Sequence, residues 1–291
     1  MIPKELIQKV KSLEIKTRKI VQSTMSGNYR SAFKGKGLNF SDTRSYQVGD
    51  DVRSINWKVT AKTGDTFVNL FEEERELTVL IAVDVSASGV FGSQEKTKKD
   101  VAAEIAAILG FSAINHSDKV GLLLFSDRIE CFIPPAKGKD HMLRILRDIY
   151  CVKPESARTN ISEAMIHIIN MVKKRSIVFV ISDFIDKHFE KAMTVMSKKH
   201  DVVPIVIEDQ AESQLPNSGI LALEDQESGQ MVYVNSSSAK VRQAFSNIKY
   251  AAKLELERLF KKMKCDFIRL STTEDYSKAL IQFFKQRFSQ S

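Results

Sequence analysis

After Glu76 the sequence alternates short apolar runs with helix-length amphipathic stretches, and no other feature constrains the fold so tightly. The runs Thr78–Val83, Val120–Phe125 and Ser176–Ile181 are almost wholly apolar. Strands of a parallel sheet covered on both faces have this composition, whereas a sheet with one wet face shows strict alternation. Further strands are expected at Ile129–Ile133, Asp201–Val206 and Asp266–Arg269. Helices are expected at Glu95–Asn115, Gly138–Asp148, Asn160–Lys174, Lys187–Lys198, Ala239–Lys264 and Thr273–Phe288. Ser126-Asp127-Arg128 joins two strands within Val120–Ile133, making one sheet edge an antiparallel hairpin. A second hairpin, Ile220–Leu223 with Met231–Val234, is expected in the polar stretch after Glu208. The fold class is therefore α/β, with a mainly parallel, doubly wound sheet.

The residues before Glu76 differ in texture. Apolar residues recur at helical spacing from Ile2 to Val21, and one amphipathic helix fits residues 2–25. From Gly27 to Asp65 the pattern is broken by Gly35, Gly37, Gly49 and Gly64 into loops and short strands without a core of their own. This divides the chain into 1–75, a basic helix with an extension, and 76–291, the α/β domain. Residues 1–36 carry nine Lys or Arg against two Glu, so nearly all of the formal charge of +8 sits there. Such an arm could meet nucleic acid, anionic lipid or an acidic protein, or it could simply turn its lysines to water. No zinc finger, helix-turn-helix signature or aromatic strand motif accompanies it, so nucleic acid is not the expected partner.

The longest apolar runs fall far short of the ~20 residues that cross a bilayer as a helix. No apolar segment follows a basic cluster at the amino terminus. The expectation is a cytoplasmic protein without a membrane span. Cys131, Cys151 and Cys265 are widely spaced and odd in number, which points to free thiols rather than zinc or redox chemistry.

In open α/β sheets, ligands bind beyond the carboxyl ends of the strands. Three segments meet that condition: Asp84-Val85-Ser86-Ala87-Ser88, Arg158-Thr159-Asn160 and Ser182-Asp183. In an extended chain, Asp84, Ser86 and Ser88 would point three oxygen donors into one crevice. Magnesium takes six oxygens, keeps several waters and is held by one or two carboxylates, which Asp84 and Asp183 would supply. The alternative is that the hydroxyls and Asp183 are ordinary helix and turn caps.

The pattern Asp-x-Ser-x-Ser, a later Thr before a helix and a later Ser-Asp after a strand resembles the metal-ion-dependent adhesion site of von Willebrand factor type A domains. The resemblance implies Ser86, Ser88 and Thr159 as direct ligands, with Asp84 and Asp183 direct or acting through water. It also implies a bound Mg2+, or Mn2+ or Ca2+ in its place, and a partner protein's carboxylate completing the shell. A second resemblance rests on Arg44-Ser45-Tyr46-Gln47-Val48-Gly49-Asp50-Asp51-Val52-Arg53-Ser54-Ile55-Asn56-Trp57, which is similar to the signature of the bacterial family called domain of unknown function 58. Gly35-Lys36-Gly37-Leu38-Asn39-Phe40, Phe71-Glu72-Glu73-Glu74-Arg75 and Phe91-Gly92 fit it as well. Asn56 stands where an acidic residue is common, and Lys62 where Arg is frequent. This likeness implies a partner, a MoxR-type AAA+ ATPase, and a role in assembling or remodelling other proteins.

Asp50 and Asp51 with Arg53 could bind a cation, or could cap a turn and pair with arginine. Trp57 is expected to anchor its segment by packing. Gly35-Lys36-Gly37 lacks the strand and helix of a phosphate loop, which excludes nucleotide binding there. A magnesium-dependent phosphatase would place a second Asp two residues after Asp84, where this chain has Ser86. A metal-dependent protein-binding module without turnover is therefore the expected function. A phosphatase-like hydrolase, or nucleic-acid binding through the arm, is the alternative.

Overall fold

The apolar recurrence near the amino terminus forms helix α1 (Lys4–Ile20), which buries Val10, Leu13 and Thr17. The computed structural model describes residues 4–21, 39–72, 76–90, 96–186, 188–224 and 230–290. Segments Gly35–Leu38, Glu73–Arg75 and Phe91–Gly92, and the basic arm beyond residue 21, lie outside them. By contacts the chain forms two units, Met1–Ala32 with Thr78–Ser291, and Phe33–Leu77. Helix α1 thus belongs with the later sheet rather than with the segment that follows it in sequence.

In the smaller unit, β1 (Asn39–Ser45) pairs antiparallel with β2 (Phe67–Glu72). Between them, α2 (Trp57–Thr63) is capped by Asn56, whose Oδ1 accepts from the Val59 N–H at 3.1 Å. It ends on Gly64, whose φ of 82° suits a residue without Cβ. This two-turn helix buries none of its residues. Trp57, its first residue, is 69% exposed and does not anchor the segment, contrary to the sequence expectation.

The larger unit contains β3 (Thr78–Asp84), α3 (Lys98–Asn115), β4 (Lys119–Phe125), β5 (Ile129–Ala136), α4 (Lys139–Cys151) and α5 (Ile161–Met171). There follow β6 (Ile177–Ser182), α6 (Glu190–Lys199), β7 (Asp201–Glu208), the hairpin β8 (Ile220–Glu224) and β9 (Met231–Asn235), α7 (Ala239–Lys262), β10 (Ile268–Ser271) and α8 (Tyr276–Gln290). Six strands form one sheet in the order β10-β7-β6-β3-β4-β5. All neighbours are parallel except β4 and β5. The fold is mixed α/β with a mainly parallel central sheet and flanking helices.

Proline placement agrees with this order. Pro134 and Pro135 lie on the edge strand β5, where a missing N–H donor costs least. Pro204 sits inside β7, but pairing with β10 begins only at Ile205, so its imino nitrogen leaves no gap in that ladder. On one face, Leu80, Ala82, Val178 and Val180 pack with Ile161, Met165, Met193 and Phe260 of the covering helices. Alternate residues Val79, Ile81 and Val83 are fully buried on the opposite face, the side of α3. Helix α3 is apolar almost all round because it lies between the sheet and helices α1 and α4. Each fully buried Val, Leu or Ile contributes roughly 1.5–3 kcal/mol, so the sheet is a rigid platform for whatever its rim carries. Among the described residues no helix is long and apolar enough to cross a membrane.

Candidate functional site

Sheet order fixes where a ligand site is expected. From β3 one connection leads to β4 on one side, and a later one leads to β6 on the other, so the chain reverses direction across the sheet between β3 and β6. A crevice opens at such a reversal, beyond the carboxyl ends of the two strands. Asp84 ends β3 and Ser182 ends β6. Their side chains meet there: the Ser182 hydroxyl donates to Asp84 Oδ2 at 2.7 Å.

The segment after β3 does not stay extended. Asp84 Oδ1 accepts from the Ser86 N–H at 3.0 Å, and Ala87–Val90 turns as a 3-10 helix. That turn, rather than strand alternation, brings the Ser86 and Ser88 hydroxyls within 3.1 Å of each other. The Ala87 N–H donates to the Ala157 carbonyl at 3.1 Å and ties this turn to the loop before α5. The same loop is fixed on its far side by the Asn160 N–H, which donates to the Ser126 carbonyl at 3.0 Å. Thr159 lies between these two anchors.

Thr159 does not cap α5. Asn160 Oδ1 accepts from the Glu163 N–H at 3.0 Å, and Asp186 Oδ2 accepts from the Ile161 N–H at 2.8 Å. The Thr159 hydroxyl oxygen is buried and has no hydrogen-bond partner. A buried hydroxyl left unpaired costs free energy, and a hard cation is one species that could satisfy it.

Asp183 follows β6. Its Oδ1 accepts from the Ile185 N–H at 3.2 Å, and its Oδ2 accepts from the Lys98 ammonium at 3.0 Å. The next residue, Phe184, has φ of 57°, a conformation that bulky side chains rarely adopt. It is held there by its N–H donating to Ser182 Oγ at 3.0 Å and by ring contacts with Phe189 and Phe260. The backbone strain is overcome by aromatic burial, and the loop is held in the geometry that presents Asp183.

A cavity of about 20 Å³ lies among Asp84, Ser88, Asp183 and Lys98, room for one water-sized species. Burial, and after it the negative charge of Asp183, push the Asp84 carboxyl up to about 6, against the lowering effect of its bonds to Ser86 and Ser182. Asp84 is thus a carboxylate short of positive charge. Among the described residues no three His, Cys, Asp or Glu side chains group as a metal cluster. Of the five expected ligands, Asp84, Ser88 and Asp183 line this cavity and Ser86 and Thr159 do not. A cation here would rely on hydroxyl oxygens beside one or two carboxylates, and Ser88, Ser182 and the undercompensated Asp84 fit that requirement.

Sequence reasoning missed three partners. Ser182 was legible only as the neighbour of Asp183, yet it bonds Asp84. Lys98 and Glu212 carried no motif, although Lys98 bonds Glu212 Oε1 at 2.5 Å within the same cluster. The other acidic turn behaves differently. Asp50 receives two bonds from Arg44 at 2.8 and 2.7 Å, and Asp51 caps the Arg53 N–H at 2.9 Å. The pairing arginine is Arg44, not Arg53.

The family described as "Protein of unknown function DUF58" matches residues 42–254. Over 97% of its length the chain is 26% identical to an uncharacterized protein of Mycobacterium tuberculosis and to one of Mycobacterium bovis, covering 90% of each. Among solved structures, an aerotolerance-related membrane protein from Bacteroides fragilis NCTC 9343 with multiple mutations to serines aligns with a TM-score of 0.50 at 16% identity. That alignment covers 74% of this chain and 100% of the other, a likeness of fold.

Proposed function

Because the chain belongs to the DUF58 family, whose model spans most of its length, we propose that it is a divalent-metal-dependent protein-binding module without turnover of its own. The reading is that residues 76–291 form a von Willebrand factor A-like domain whose rim is a metal-ion-dependent adhesion site. Ser86, Ser88 and Thr159 would hold Mg2+, or Mn2+ or Ca2+, directly. Asp84 and Asp183 would do so directly or through water. When bound, the ion supplies a positive charge of which one coordination position is open to an anionic oxygen from outside.

The observation that carries this reading is the buried, unpartnered hydroxyl of Thr159 in a loop tied to the Ser86–Ser88 turn. This chain's own residues orient the donors: Ser182 and the Ser86 amide fix both oxygens of Asp84, and Phe184 fixes the Asp183 loop. Turnover is disfavoured by the same geometry. Asp84 is 9% exposed with both oxygens engaged, a poor nucleophile, and Ser86 stands where a phosphatase acid would be. The expected partner is a protein offering a carboxylate. The family likeness supports a MoxR-type AAA+ ATPase as the machine it works with, in assembly or remodelling of other proteins.

Calorimetric titration of the purified chain with magnesium tests this. Wild type is expected to bind, with a rise in melting temperature that chelator reverses. Asp84→Ala is expected to stay folded and bind on the order of 100-fold more weakly. Identical behaviour of wild type and variant, or an absence of binding in both, would overturn the proposal.

A further inference from the structure

The rim contains a cation of its own. Lys98 opens α3, and its side chain is 4% exposed. Its ammonium lies 3.0 Å from Asp183 Oδ2 and 2.5 Å from Glu212 Oε1. A helix amino terminus repels positive charge, so the helix itself does not favour a buried lysine at this position. The two carboxylates do. Glu212 is fixed in turn, because its Oε2 accepts from the Asp209 N–H at 3.2 Å in the turn after β7.

Around Lys98 the formal charges are three negative, from Asp84, Asp183 and Glu212, and one positive, from Lys98 itself; Lys99, which also lines the cavity, directs its ammonium to the Val152 carbonyl at 3.2 Å. What remains is the charge that one divalent ion balances. We infer that Lys98 sets the charge selectivity of the metal site: it holds the carboxylates together without metal and leaves a deficit suited to a divalent rather than a trivalent cation. The inference rests on the metal reading of the rim. With Asp183 Oδ2 committed to Lys98, Asp183 serves the ion through water or through its other oxygen, and the hydroxyls become the principal direct donors.

The test is calorimetric titration of the full chain with Mg2+ and, separately, Tb3+, for wild type, Lys98→Gln, Lys98→Arg and the double variant Lys98→Gln/Glu212→Gln. Coulomb attraction scales with ion charge, so Lys98→Gln is expected to bind magnesium about tenfold and terbium about thirtyfold more tightly than wild type. Its metal-free melting temperature is expected to fall. Lys98→Arg keeps the charge and the double variant restores the same net charge, so both are expected to return to wild-type affinities. A lysine with a merely structural role would lower the melting temperature and leave the terbium-to-magnesium ratio unchanged, and that result overturns the inference.

If Lys98→Gln does not fold, Glu212→Gln alone decides. It leaves one negative charge fewer and should weaken both ions, terbium more; an unchanged ratio is the contrary result. Wild type that binds no metal would refute the metal reading itself, an outcome distinct from wild-type binding that Lys98→Gln fails to alter.

Discussion

At the amino end of the parallel sheet, Asp201 opens β7 and its carboxylate meets the Arg287 guanidinium of α8 at 2.5 and 2.6 Å. At the carboxyl end, Asp84 closes β3 and its carboxylate meets only a hydroxyl and an amide. The amino end also holds His200, 1% exposed, whose Nδ1 accepts from the Ser176 N–H at 3.3 Å. Burial first, then the charges of Lys199 and Arg175, push its imidazole down to about 4, so it is neutral. The two ends differ in charge: the amino-end carboxylate is paired with an arginine and the carboxyl-end one with a hydroxyl and an amide, while each end keeps a buried polar atom without a hydrogen-bond partner, His200 Nε2 and Thr159 Oγ1. A strand-end carboxylate does not mark a site by itself; one that the chain leaves without a cation does.

The largest effect expected from this contrast is at His200. The unfolded imidazole binds a proton near 6.5 and the folded one only near 4, so stability is complete above pH 6.5 and falls as the pH drops towards 4. The loss is expected to reach roughly 2–3 kcal/mol. Urea denaturation across that window should show wild type losing this stability relative to His200→Gln, which keeps an acceptor for Ser176 but does not titrate there. The difference isolates the imidazole from the Asp84 carboxyl, whose raised value works in the opposite direction in both proteins. Equal slopes would mean that the amino end is not balanced by a neutral imidazole.

A smaller effect is expected at Arg287, whose side chain is 16% exposed against 29% for Asp201. Arg287→Ala should cost about 2 kcal/mol of stability by stranding Asp201. Magnesium affinity, measured in the same preparation, should not change. A parallel loss of affinity would show that the two ends are coupled and that the contrast is wrongly drawn.

Much of this architecture is visible in the sequence because unbroken apolar runs leave few alternatives to a covered parallel sheet. The edge hairpin at Ser126-Asp127-Arg128 and the β8–β9 pair were legible for the same reason, since short strands bounded by turn residues have little choice of partner. The rim was legible in part. Asp84, Ser86, Ser88, Thr159 and Asp183 could be placed after strands, but not the 3-10 turn that brings the two serines together. Lys98 was hidden because a lysine at a helix start looks like a solvent-facing residue until two distant carboxylates converge on it. Trp57 misled in the opposite direction, since a large aromatic residue suggests burial and α2 is too short to bury it. The placement of α1 against α3 and α4 is a long-range choice that its own periodicity does not contain.

The most direct test is Thr159→Val, which removes the hydroxyl and keeps the shape, with stability and magnesium affinity measured side by side. The account expects metal-free stability to hold or rise slightly, because an unpartnered buried hydroxyl contributes nothing to it, and magnesium binding to weaken about tenfold or more. Unchanged magnesium affinity in a stably folded variant would contradict it.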